Sequence, residues 1–206
     1  ALADAACSAC GRRPSPSAAR RLLRDERWLL ARLRRWEAAS PRGRLSEAVV
    51  AWFVRRISRT FAQHVAADRA LGHLAAAWVG LGRWDLAADL TARRVAFQVA
   101  AFPGHNGACA WTREALADLL LRSLGCDVRG LQAEPQADVA LQAVRKKGFA
   151  PKVLAEVVSL YQHAAQALAA LFGPAHPSCT DVARKAGAVR QALGVAAPVP
   201  PTSAAA

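Results

Sequence analysis

The pattern nearest to a reactive site is Cys7-Ser8-Ala9-Cys10. A C-x-x-C lets two thiolates grip one zinc ion, so Cys7 and Cys10 supply half of a tetrahedral site. The competing reading is two unrelated cysteines in a tail. The other three cysteines, Cys109, Cys126 and Cys179, complete no framework. Five is an odd number, and small secreted scaffolds use more. A reducing compartment is expected, in the cytoplasm or nucleus. The histidines, at 64, 73, 105, 163 and 176, are scattered. Asp25 and Glu26 are adjacent, face different ways on a helix and make a poor acid/base pair. No H-E-x-x-H, G-x-S-x-G, P-loop or G-x-G-x-x-G occurs. The segment is expected to be non-catalytic and to carry no cofactor-binding residues.

Charge is the next source of chemistry. The 206 residues carry a net +13, and 24 of the 28 basic side chains are arginine. Residues 1–60 contribute +9 of that total and residues 61–206 the remaining +4. Such an excess is a footprint for nucleic acid, an anionic membrane or an acidic partner. It also follows from a GC-rich coding sequence, which favours Ala, Arg, Gly and Pro. Trp28, Trp36 and Trp52 fit either a base-stacking set or helix packing, and their helical spacing favours packing.

The elements that position these residues are helical. The apolar fraction is 53%, but 50 residues are alanine. Alanine-rich cores come from closely packed helices, not from sandwiches. No window is apolar and long enough for a transmembrane helix, and no secretory signal is expected. Methionine is absent even at position 1, so the chain is expected to be part of a longer polypeptide. Residues 1–17 read as a linker, 18–194 as a helical domain and 195–206 as a disordered Pro/Ala-rich tail.

Within the helical stretch, Leu22, Leu29, Leu33 and Trp36 form one stripe. Ser46 reads as an N-cap ahead of Val49, Val50, Phe53, Ile57 and Phe61. Leu71, Leu74, Ala75 and Trp78, then Gly82, Trp84 and Ala87, match the tetratricopeptide pattern. There, small residues let two antiparallel helices approach and glycine relaxes the turn. Thr91 and Arg94 depart from its later positions. A helix with Trp111, Leu116, Leu119 and Leu120 as apolar residues follows. Next come a loop over 125–137, a short helix at 138–145 and a turn at 146–148. A helix from Pro151 places Val153, Val157, Leu160, Tyr161, Ala164 and Leu168 inward, and a last one runs over 178–193. "AAFPGHNGAC" echoes "LFGPAHPSC", with Phe102 and Phe172 as far apart as Cys109 and Cys179. Both segments end one helix and launch another. His105 and His176 are expected to cap or shape those turns, and Cys109 and Cys179 to be small buried residues. The expected fold is all-α: antiparallel helical hairpins in a TPR-like array.

Three segments carry a family resemblance. "LGRWDLAADLTARRVAFQVAAFPGHNG" (81–107), "LYQHAAQALAALFGPAHPSCTDV" (160–182) and "CSAC" (7–10) resemble the C-terminal region of SET-and-MYND-domain protein lysine methyltransferases. The family's post-SET motif is C-x-C-x-x-C, and its first cysteine falls on Ala5 here. The resemblance implies a partial zinc site at Cys7 and Cys10 with further ligands outside the chain. It also implies S-adenosylmethionine-dependent methyl transfer in a parent protein, since the catalytic SET motifs and the MYND finger are absent. For this segment it implies a lid-like helical domain that flanks the substrate cleft and contacts protein partners.

The leading expectation is therefore a protein-interaction and substrate-gating domain with a protein or peptide partner and no membrane. Arg83, Arg93 and Arg94 are the candidate peptide-binding residues, and a solvated helix face is the alternative. The second reading is a non-enzymatic helical-repeat scaffold, with the arginines of residues 12–59 docking on RNA or an acidic protein.

Overall fold

The computed structural model describes residues 15–39, 46–60, 65–102, 104–126, 128 and 151–194. Among them are seven helices and no strand, the all-α fold expected from composition. They are α1 (Pro16–Ala39), α2 (Glu47–Thr60), α3 (Val65–Gly80), α4 (Trp84–Ala101), α5 (Gly107–Ser123), α6 (Pro151–Phe172) and α7 (Pro177–Leu193). Cys7, Cys10, Phe61, most of the loop expected over 125–137, the helix at 138–145, the turn at 146–148, the tail 195–206 and the side chains of Leu22, Leu33 and Trp36 lie outside the described residues. Chain contacts divide the protein into two compact units, Ala1–Leu81 and Gly82–Ala206. Composition predicts one helical stretch over 18–194. The hairpin expected over 71–87 straddles the division, so Ala75 and Ala87 are described each within its own unit.

In the first unit, α1 and α2 both pack on α3. The first helix begins two residues before the expected Ala18. Ser15 Oγ accepts from the Ala18 N–H at 3.2 Å, and Pro16 takes the first helical position, where no N–H is needed. Ser46 precedes α2, and its carbonyl accepts the first helical bond, from Val50 N–H at 3.2 Å. Leu29, Val50, Phe53, Ile57, Leu71, Leu74, Ala75 and Trp78 are buried, as the stripe requires. Val49, expected on that face, is exposed. Trp28 and Trp52 pack on each other, as their helical spacing suggests, but at the surface, where they remain 41% and 43% exposed. Leu29 takes the buried position and turns its neighbour Trp28 away by one helical step.

In the second unit, α4 packs on α5, α5 on α6 and α6 on α7. The core joins Ala110, Ala117 and Leu121 of α5 to Val157, Tyr161, Ala164 and Leu168 of α6 and Val182, Ala186 and Val189 of α7. Spacings of three and four keep each set on one side of its helix. Burying each large apolar side chain contributes about 1.5–3 kcal/mol before entropy is set against it. Cys109 and Cys179 are buried in the helices that follow the two turns, as expected. So are Cys126 and Val128 beyond α5. Trp111, one of the apolar residues read on this helix, is exposed. Since α4 and α6 flank α5, it buries residues on two sides: Cys109, Thr112, Leu116 and Leu119 as well as Ala110, Ala117 and Leu121. That double burial blurs the periodicity from which an inward face is read.

Candidate functional site

The repeat places two turns at one end of the second unit. The helix α4 ends at Ala101 and α5 starts at Gly107; α6 ends at Phe172 and α7 starts at Pro177. A Cβ built on Gly107 would lie 3.7 Å from Leu171 Cδ1, which brings the two turns side by side. Around them stand Val99, Phe102, Trp111, Leu171 and Phe172, each 42–51% exposed. Phe102 packs edge-on against Phe97, with centroids 6.4 Å apart, and Phe172 lies 5.1 Å from the His176 ring. Five large, half-exposed apolar side chains around two neighbouring turns form a candidate for protein contact. The sequence signal for it is the pairing of Phe102 with Phe172, but nothing in their spacing predicts that the rings face outward together.

The turns themselves are held by helix caps. Asn106 Oδ1 accepts from the Ala108 N–H at 2.8 Å, and His176 Nδ1 accepts from the Ser178 N–H at 3.3 Å. Asn106 and His176 are the equivalent positions, offset like Phe102 and Phe172. His176 thus caps as expected, whereas the cap before α5 falls to Asn106 and leaves His105 exposed. The reason is reach: a side-chain acceptor serves the second helical N–H only from the position just before the helix.

A buried ion network crosses the same unit. Lys185 of α7 is 3% exposed, and its Nζ lies 2.7 Å from Glu114 Oε1 and 3.0 Å from Asp118 Oδ2, both on α5. The hydroxyl of Tyr161 on α6, the chain's one tyrosine, donates to Asp118 Oδ1. The Tyr161 ring also faces the ammonium, at 5.6 Å. Burial weakens the Lys185 charge, but the Glu114 hydrogen bond and the Asp118 carboxylate outweigh it and hold its pKa above the ordinary value. Burial, followed by the Asp118 charge, pushes the Tyr161 pKa up as well. A protonated lysine gripped by two carboxylates is no nucleophile. The arrangement ties three helices in register, and sequence reasoning missed it because its members are scattered over three helices. Beside it, the Arg122 guanidinium sits 5.0 Å over the Trp84 ring and joins α5 to the start of α4.

The candidate peptide-binding residues all belong to the start or body of α4. Arg83 sits at its N-cap and reaches Asp85, Nε to Oδ1, at 3.4 Å. That guanidinium holds the Asp85 carboxyl below its ordinary pKa. Arg93 pairs with Asp89 one turn earlier, at 2.8 Å. Arg94 is half-buried, one residue round the helix from Arg93. Arg83 and Arg93 therefore turn toward acidic neighbours of their own helix and do not meet at one point. Among the described residues, no group of three or more His, Cys, Asp or Glu side chains is placed to hold a metal ion. No described helix is long and apolar enough to cross a membrane.

No known family model matches this sequence, and no curated protein matches it.

Proposed function

We propose that this chain is the C-terminal protein-interaction and substrate-gating domain of a SET-and-MYND-type protein lysine methyltransferase, without catalysis of its own. The interaction part rests on one observation: two repeat turns gather Val99, Phe102, Trp111, Leu171 and Phe172, half-exposed, at one end of α4–α7. Exposed patches of this kind mark protein contact sites. The partner is a protein segment that offers its own apolar side chains. The methyltransferase part rests on the resemblance of 81–107, 160–182 and Cys7-Ser8-Ala9-Cys10 to that family. In such a parent, S-adenosylmethionine and the remaining zinc ligands belong to residues outside this chain.

The test places a photo-crosslinking benzoylphenylalanine at Phe102 or Phe172 of the full-length protein in its own cells. A different polypeptide is expected to crosslink there, and Trp111→Ser is expected to abolish it. The same group at Glu156, exposed near the other end of α6, is expected to give no such product. Equal capture at all three positions, or capture of a second copy alone, would defeat the interaction reading. A SET core encoded in frame ahead of Ala1 is expected from the methyltransferase reading; a start codon close to Ala1 would sink it.

A second reading, a non-enzymatic helical-repeat scaffold of a larger assembly, is favoured by the arginine excess of residues 12–59. It shares the apolar end as a contact surface and differs in having no methyl-transferring parent.

A further inference from the structure

The first unit carries a surface that the apolar end does not explain. Trp28 of α1 and Trp52 of α2 meet edge-on, with ring centroids 5.9 Å apart and planes inclined by 70°. Phe53 closes on Trp52 from within the core, 5.0 Å away. The pair is thus held in place from below and open to solvent above. Two half-exposed indoles in contact are a costly surface for a lone domain, since their apolar area stays wet.

Arginine surrounds them. Arg24 and Arg32 lie one helical turn to either side of Trp28, and the Arg32 guanidinium sits 5.6 Å over the Trp28 ring. Arg55 and Arg56 lie one turn beyond Trp52, and Arg56 reaches across to Asp25 of α1 at 3.9 Å. Among the side chains described on α1 and α2, nine exposed arginines (20, 21, 24, 27, 32, 34, 35, 55 and 56) face three carboxylates, Asp25, Glu26 and Glu47.

We propose that α1 and α2 form a binding face for single-stranded nucleic acid. Unpaired bases stack on Trp28 and Trp52, and phosphates lie along the flanking arginines. The inference deepens the scaffold reading, whose arginines of residues 12–59 include those of α1 and α2, and it is independent of the apolar end of the second unit. The chemistry of the face selects this occupant over a duplex, an acidic peptide and a membrane. A rigid aromatic pair within a cationic field is the combination that unpaired bases and their phosphates require. A duplex hides its base faces, so it offers phosphate to the arginines and nothing to the rings. An acidic peptide likewise uses the charge and leaves the rings idle. A membrane surface needs a continuous apolar stripe, but the stripe that includes Ala19 and Leu29 is buried within the protein.

The test titrates the 206-residue chain against fluorescein-labelled oligouridylate and oligothymidylate of about 12 nucleotides, a length within the usual single-strand site range. A mixed-sequence duplex, polyglutamate and phosphatidylserine-containing vesicles are the competitors. Single strands are expected to bind at least about tenfold tighter than the duplex and to quench tryptophan emission, as stacking does. Trp28→Ala with Trp52→Ala is expected to lower single-strand affinity by roughly tenfold or more, and the two Trp→Phe changes to restore most of it. Arg24→Gln with Arg32→Gln is expected to flatten the salt dependence by about 0.7 in log–log slope for each phosphate no longer neutralised. That second set keeps the proposal open to refutation even if the alanine variant loses its helical circular dichroism. Equal affinity for duplex and single strand, with no response to the tryptophan changes, would reduce the face to a polycation and overturn the proposal. Preference for polyglutamate or for vesicles would overturn it too, as would an unchanged salt slope or no binding at low salt.

Discussion

Tyr161 donates its phenolic hydrogen to Asp118 Oδ1, and the same oxygen lies 3.1 Å from Lys185 Nζ. One carboxylate thus serves α6 and α7 at once while belonging to α5. Breaking such a network leaves charge behind, which is worse than never having built it. Lys185→Met strands Glu114 and Asp118 facing a methyl group. Removing one partner of a buried pair costs about 3–5 kcal/mol, and the low end applies because both carboxylates keep some contact with water. Urea unfolding followed by circular dichroism should report a loss of about 3 kcal/mol. Adding Glu114→Leu, Asp118→Leu and Tyr161→Phe to Lys185→Met should recover most of it, since no buried polar group is then left without a partner. If the fourfold variant is no more stable than the single one, the network is not self-contained.

The same residues set an alkaline limit. Tyr161 and Lys185 have ordinary values of 10.0 and 10.5, and both are raised in the folded chain. The folded state therefore holds their protons after the unfolded state has released them. Their contribution to stability is complete below about pH 10 and declines as pH climbs beyond it. The urea midpoint should be insensitive to these two groups from neutrality to about pH 9 and should then fall. Tyr161→Phe should make the fall shallower. A midpoint with the same alkaline slope in both proteins would exclude the tyrosine's part.

The two helix caps can be weighed separately. Asn106→Ala removes the acceptor for the Ala108 N–H and should cost about 1 kcal/mol. His105→Ala, one residue earlier and exposed, should lie within about 0.5 kcal/mol of the parent. His176→Ala should resemble Asn106→Ala, not His105→Ala. Thermal midpoints for the three variants decide whether Asn106 or His105 shares the capping role of His176.

Trp111 and Leu116 test which side of α5 is inside. Leu116→Ala should cost about 2–5 kcal/mol, as a buried leucine does. Trp111→Ser should cost clearly less than Leu116→Ala, because 42% of Trp111 stays in solvent whereas Leu116 is buried. A large loss at Trp111 would mean that the apolar end is part of the core.

What is legible without coordinates follows from periodicity. Leu29, Phe53, Ile57, Leu71 and Leu74 on one side, and Val157, Tyr161, Ala164 and Leu168 on another, recur at helical spacing and are buried. Local signals agree with the structure too: Ser46 stands before α2, and Pro151 opens α6. The failures share a cause. Trp28 and Trp111 are large and apolar yet stand outside the core, because a helix exposes whatever lies one step from its buried stripe. The Lys185 network is illegible because Glu114, Asp118, Tyr161 and Lys185 meet only when three helices pack. Helical periodicity reports a residue's direction within one helix, not its neighbours on others.

Alanine on the packed faces of the second unit has a consequence for how the protein can change. Ala110 and Ala117 lie seven residues apart on α5, and Ala164 sits on α6, all without solvent contact. Alanine has no rotamers to lose, so ordering these side chains costs no side-chain entropy. It also leaves no soft terminus to bend aside. A larger residue at any of them must displace backbone, at about 1–3 kcal/mol. Mutational drift in this unit is therefore one-sided: its exposed polar faces are free to vary, and its alanine seams resist growth.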